Sequence, residues 1–81
     1  MTVDDIDAIV REIFEEIIGW DVEITDADTP QTVEGWDSLA QIRIVHELES
    51  RFDIRLPDEA LLEEQSVASL KRLVLASVNR G

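Results

Sequence analysis

The sequence has no cysteine and no tyrosine, only three glycines and two prolines, and seven basic side chains against nineteen acidic ones. Without cysteine there is no disulfide, no thiolate metal site and no cysteine nucleophile, so any thiol chemistry done with this chain must be borrowed. A formal charge of −12 argues against a general affinity for nucleic acid or anionic lipid, both of which repel such a surface. The expected partners therefore present positive patches. No stretch approaches the roughly 20 apolar residues that span a bilayer. The opening MTVDDIDAI also lacks the basic n-region and long apolar run of a secretory signal. A soluble, cytoplasmic protein with no membrane partner is expected.

What is present is enough to fold. Hydrophobic residues make up 44% of the chain and charged residues 32%, unlike the low-hydrophobicity composition of disordered chains. With 81 residues the expectation is one domain over 1–81, monomeric, near the size at which a single core is only marginally stable.

Apolar residues Val3, Ile6, Ile9, Val10, Ile13, Phe14 and Ile17 recur every three or four positions, which predicts an amphipathic helix over 3–18. Thr2 followed by Asp5 resembles a capping box, and Gly19 is a plausible stop. Residues 19–36 hold Gly19, Asp21, Asp26, Asp28, Pro30 and Gly35, a breaker-rich composition that reads as a long ordered loop. Val22, Ile24, Val33, Trp20 and Trp36 are the residues expected to pin it to the core. A second helix is predicted over 38–52. A short one, opened by Pro57 and Asp58, should close near Glu63. Another follows Ser66, a good N-cap, with Val67, Leu70, Leu73, Val74 and Val78 in register. The fold class expected is all-α: a small four-helix bundle of three longer helices and one short one.

Charge is unevenly spread. Residues 1–37 carry −11, residues 38–52 are neutral, 53–64 carry −4 and 65–81 carry +3. On a wheel of the second helix, Ala40, Ile44, Val45, Leu48 and Phe52 form the core face. Leu39 falls on the opposite side with Arg43, His46, Glu47 and Ser50. A large apolar residue in a mixed polar strip, directly beside Ser38, suits docking by an enzyme that must find that serine.

Tests for intrinsic chemistry fail one by one. Ser38 and His46 lie eight residues apart, about 12 Å along a helix, beyond hydrogen-bond reach. Gly35-Trp36-Asp37-Ser38-Leu39 does not match a nucleophile elbow, because Ala40 stands where glycine is needed. Asp26 and Asp28 open with calcium-loop spacing, but Pro30, Gln31 and Asp37 replace the later ligands and the turn glycine. His46 with Glu47 or Glu49 provides too few ligands for zinc. No glycine-rich phosphate loop or basic patch with interleaved aromatics is present. Ser38 is open to two readings. It caps the second helix itself, or Asp37 caps and Ser38 becomes the first helical residue with a free hydroxyl at the positive end of the dipole.

Asp37-Ser38-Leu39 opening a helix after Gly35-Trp36, followed by HELESRFDIRLPDEAL over 46–61, resembles the acyl carrier protein family across nearly the whole chain. The resemblance implies a 4′-phosphopantetheine arm on Ser38, with Asp37 as flanking motif. A phosphopantetheinyl transferase would install it from coenzyme A, normally with Mg²⁺. The arm's thiol would hold acyl groups for acyl-loading, condensing or acyl-transferring enzymes, and the carrier itself would be non-catalytic. Where fatty-acid-synthesis carriers tend to have acids after the motif, this chain has Ala40, Arg43 and His46. It is more similar to discrete carriers of polyketide or related specialised pathways. An aminoacyl, peptidyl or D-alanyl carrier is the alternative within the family. An acidic adaptor with Ser38 as a plain helix cap is the alternative outside it.

Overall fold

The computed structural model describes residues 3–20, 23–62 and 65–80. Four helices follow in order: α1 (Val3–Ile17), α2 (Ser38–Phe52), α3 (Glu59–Leu62) and α4 (Val67–Arg80). No strand occurs among the described residues, so the all-α expectation holds. The helix starts at 38 and 67 fall where the caps placed them. The expected capping pair Thr2–Asp5 and the expected anchor Val22 involve positions outside the described residues, as does the expected stop near Glu63.

The apolar period of α1 becomes a buried ridge of Ile6, Val10, Ile13 and Phe14. It meets α2 on one flank and α4 on the other. Ala40, Ile44, Leu48 and Phe52 answer from α2, with Val67, Leu70 and Val74 from α4. α1 closes one residue before the predicted end: the Ile18 N–H donates to the Phe14 carbonyl at 2.8 Å, and Gly19 then takes φ +143°, which favours glycine. At the end of α2, Asp53 adopts the left-handed conformation, φ 54°, tolerated by aspartate. The Asp53 and Ile54 N–H groups both donate to the Glu49 carbonyl.

The radius of gyration, 11.6 Å, matches the roughly 11.7 Å of a compact chain this long, so the loop between α1 and α2 lies on the bundle. Its local hub is Asp28. One carboxylate oxygen accepts from the Thr25 N–H at 2.8 Å and the Thr25 hydroxyl at 3.2 Å; the other accepts from the Thr32 hydroxyl at 2.9 Å. The loop also closes the start of α4, because the Asp28 and Asp26 carbonyls accept from the Val67 and Ala68 N–H groups, each at 3.0 Å. Ser66 caps α4 as expected. Its hydroxyl accepts from the Ser69 N–H at 3.1 Å, and the Ser69 hydroxyl accepts from the Ser66 N–H at 2.8 Å.

Two cations tie elements together. Lys71 of α4 reaches Asp26 of the loop at 2.6 Å and Asp7 of α1 at 2.9 Å. Burial works against its charge, but the hydrogen bonds and attraction of the two carboxylates outweigh this and raise its pKa. Arg51 of α2 bonds Glu12 and Glu16 of α1 at 3.1 and 2.8 Å, and Glu47 at 3.3 Å.

Hydrogen bonds from the Thr25 backbone and the Thr32 hydroxyl hold the Asp28 pKa below its ordinary value. Such a group stabilises the fold above its unfolded pKa, and the contribution is lost as pH falls through the lower folded value. Asp28→Ala is therefore expected to melt below the wild type at neutral pH. Thermal unfolding followed across an acid series should show the gap narrowing as pH drops below the usual carboxylate range; a gap of constant size contradicts this role.

Candidate functional site

Gly35 to Leu39 build the site in sequence. Gly35 sits at φ +94°, a conformation that L side chains rarely adopt. It turns the chain so that Trp36 enters the core, 2% exposed. The indole stands edge-on to Phe14, with ring centroids 4.9 Å apart and planes at 78°, a favoured aromatic geometry. Asp37 follows in extended backbone, φ −100° and ψ −171°.

The choice between caps falls to Asp37. Its Oδ1 accepts from the Ala40 N–H at 2.9 Å, and its carbonyl accepts from the Gln41 N–H at 2.9 Å. Ser38 is thus the first residue of α2. It is exposed, and its hydroxyl makes no hydrogen bond among the described residues. The N–H groups of Ser38 and Leu39 likewise have no protein acceptor there, as two of the unmatched donors that begin any helix. No acid occupies the first turn of α2 itself; the Asp37 carboxylate at the cap takes the Ala40 N–H at its positive pole.

The predicted outward strip is largely as drawn. Leu39 is 60% exposed, and Arg43, His46 and Ser50 are also exposed. Glu47 is half-buried and turned to Arg51. Two further apolar side chains are exposed: Ile42 of α2, at 55%, and Leu61 of α3, at 48%. Ile42 is legible on the wheel, since three steps of about 100° place it beside Leu39 and His46. Leu61 is not, because its exposure depends on how α3 packs.

Gln41 is a buried polar residue beside the site that the motifs do not reveal. The same wheel puts it in the middle of the core face, where a polar residue needs partners. It is buried at 9%. Its Oε1 accepts from the Trp36 indole N–H at 2.6 Å, and its Nε2 donates to the Ala60 carbonyl at 2.7 Å. One side chain thereby joins the loop, α2 and α3.

Trp20 corrects an expectation. It does not anchor the loop: it is 73% exposed. Trp36 fills the aromatic slot on Phe14, and the chain leaving Gly19 carries Trp20 to the outer side of α1. There it lines an open cleft of about 670 Å³ with Arg11, Glu15 and Glu23. Among the described residues, no group of three or more histidine, aspartate or glutamate side chains is placed to hold a metal, and no helix is long and apolar enough to cross a membrane.

A family model described as a phosphopantetheine attachment site matches residues 8–74, a span from α1 into α4 that takes in the loop and all of α2. Searches of curated proteins and of solved structures return no match.

Removing the Asp37 carboxylate orphans the Ala40 N–H. Asp37→Ala is expected to lower the unfolding free energy by about 1 kcal/mol, read by urea denaturation. An unchanged midpoint would mean that Ser38 can take over the cap.

Proposed function

The chain belongs to the phosphopantetheine attachment-site family, and from that membership we propose that Ser38 is the residue to which the arm is joined. Members of the family carry 4′-phosphopantetheine covalently; the group supplies a terminal thiol that holds acyl units as thioesters, the thiol this chain lacks. One observation carries the assignment to Ser38: its hydroxyl is exposed and free of internal bonds at the pole of α2, because Asp37 does the capping.

The residues fit the group. In the transferase-catalysed step, the Ser38 hydroxyl attacks a phosphorus of the coenzyme A pyrophosphate. A new O–P bond forms, the P–O bond to the nucleotide breaks, and 3′,5′-ADP leaves with the bonding pair. The hydroxyl proton would pass to a base of the transferase, where a bound Mg²⁺ would supply the charge that polarises the pyrophosphate. A phosphodiester on Ser38 would stand at the N-terminal pole of α2, whose dipole favours an anion, next to the Asp37 carboxylate, whose like charge opposes it.

The chain acts as a single carrier domain and leaves catalysis to its partners. Leu39, Arg43, His46 and Ser50, with Glu47 beside them, are the residues those enzymes read when they load, condense or transfer the acyl group. Arg43 and His46 on a neutral helix favour a discrete carrier of polyketide or related specialised biosynthesis over a carrier read through an acidic helix.

Incubation with coenzyme A and a promiscuous phosphopantetheinyl transferase should add one phosphopantetheine to the wild type by intact mass and none to Ser38→Ala. A thiol reagent should then titrate one thiol per modified chain and none before modification. Loading of the Ser38→Ala chain, or no loading of the wild type by several transferases, overturns the assignment. His46→Glu should alter rates with the acyl-handling enzymes while Ser38 loads at close to the normal rate; equal loss of both would mean that the face is drawn wrongly.

A further inference from the structure

We propose that Gln41 is the positioning residue of a docking face built from two helices, fixing where Leu61 of α3 stands relative to Ser38 and Leu39 of α2. The proposal rests on the reading of Ser38 as the attachment residue.

The observation behind it is a buried amide in an apolar setting. Gln41 shares the core face of α2 with Ala40, Ile44 and Leu48, where an apolar side chain of similar size would need no partners. An apolar residue put there alone would leave the Trp36 indole N–H and the Ala60 carbonyl without a partner, which costs stability. What the apolar residue cannot supply is direction. Gln41 has both ends committed, to the Trp36 indole at 2.6 Å and to the Ala60 carbonyl at 2.7 Å.

Those partners sit next to the exposed elements of the site. Trp36 lies two residues before Ser38, and Ala60 one residue before Leu61. α3 has only four residues, too few for a stable isolated helix. Among the described residues, Gln41 makes the one side-chain hydrogen bond from α2 to α3. Gln65 holds the start of α3 from the other side, its Nε2 donating to the Glu59 carbonyl at 2.8 Å; toward α2 the register rests on packing and on the Gln41 bond, and a hydrogen bond weakens steeply with distance and angle. On this proposal, an enzyme that engages Ser38 and also reads the exposed Leu61 of α3 meets the two in the wild-type arrangement while the Gln41 bridge is intact.

The test uses the full chain in its unmodified form, coenzyme A and a promiscuous phosphopantetheinyl transferase. Gln41→Met keeps the volume and removes both bonds. It is expected to raise the KM for the carrier about fivefold or more with kcat within about twofold. Gln41→His should restore most of the loss while its imidazole is neutral, since that ring offers one acceptor and one donor. The rescue should fade, relative to the wild type at each pH, once the ring takes a second proton and presents only donors, at a pH below the ordinary histidine range because burial and the indole donor both favour the neutral ring.

Val74→Ala, a buried truncation in α4, controls for stability and should leave kcat/KM unchanged at a temperature where circular dichroism shows every variant folded. Wild-type kinetics in Gln41→Met, or an equal loss in Val74→Ala, overturns the positioning role. A wild-type chain that takes up no phosphopantetheine overturns the Ser38 reading instead.

Discussion

The arrangement of the site depends on the burial of Trp36. Burying an indole removes about 150–250 Å² from water, worth roughly 4–6 kcal/mol at 25 cal/mol per Å², a large term in a chain this short. The edge contact with Phe14 fixes the plane of the ring, and its N–H is satisfied by Gln41. Two residues later Ser38 is exposed. An inside anchor and an outside hydroxyl that close together leave the chain little freedom in between, and the extended Asp37 takes up all of it. Ser38 is therefore exposed without belonging to a loose segment, although a long loop leads up to it.

Electrostatics act on a different scale. Residues 1–37 carry −11, a density that resists compaction by self-repulsion. The opposing charge is concentrated. Arg51 gathers Glu12, Glu16 and Glu47, while Lys71 gathers Asp7 and Asp26. Exposed pairs of this kind add little stability singly, but here each cation joins different elements and so sets where the repelling segments lie. Arg51 and Lys71 are thereby committed inward. Arg43 and His46 make no ion pair among the described residues and stand on the exposed strip beside Ser38, so the surface next to the site differs in charge from the rest of the molecule.

The helices were legible because their signals are local. The three-and-four spacing of Ile6, Val10, Ile13 and Phe14 needs no knowledge of the partner helix, and Ser66 announces the start of α4 from its side chain alone. The helical angle alone puts Leu39 outside, and the structure keeps it there. Trp20 and Trp36 were indistinguishable by the same reasoning. Both are large apolar residues in one loop, and which of them reaches Phe14 is decided by the turn at Gly35 and by the room left once one ring is in place. Gln41 stood on the core face of the wheel, where its polarity marked it as a residue in need of partners. The identity of those partners was not available, because the Ala60 carbonyl arrives from nineteen residues away. Local pattern reveals faces; long-range pairing decides what fills them.

The two readings of Ser38 differ by one residue in where α2 begins, and that residue changes the chemistry. Had Ser38 been the cap, its oxygen would have accepted a backbone N–H, and derivatising it would have taken away part of the helix's own support. With Asp37 in that role, the carboxylate meets the Ala40 N–H and Ser38 carries no structural duty. The aspartate is also the stronger acceptor, since hydrogen bonds to an ionised group exceed those to a neutral hydroxyl. Along Gly35-Trp36-Asp37-Ser38-Leu39 the glycine turns the chain, the indole anchors it, the carboxylate caps the helix, the hydroxyl stays free and the leucine offers an apolar contact. Under the proposed reading of Ser38, derivatising its hydroxyl removes no cap from α2.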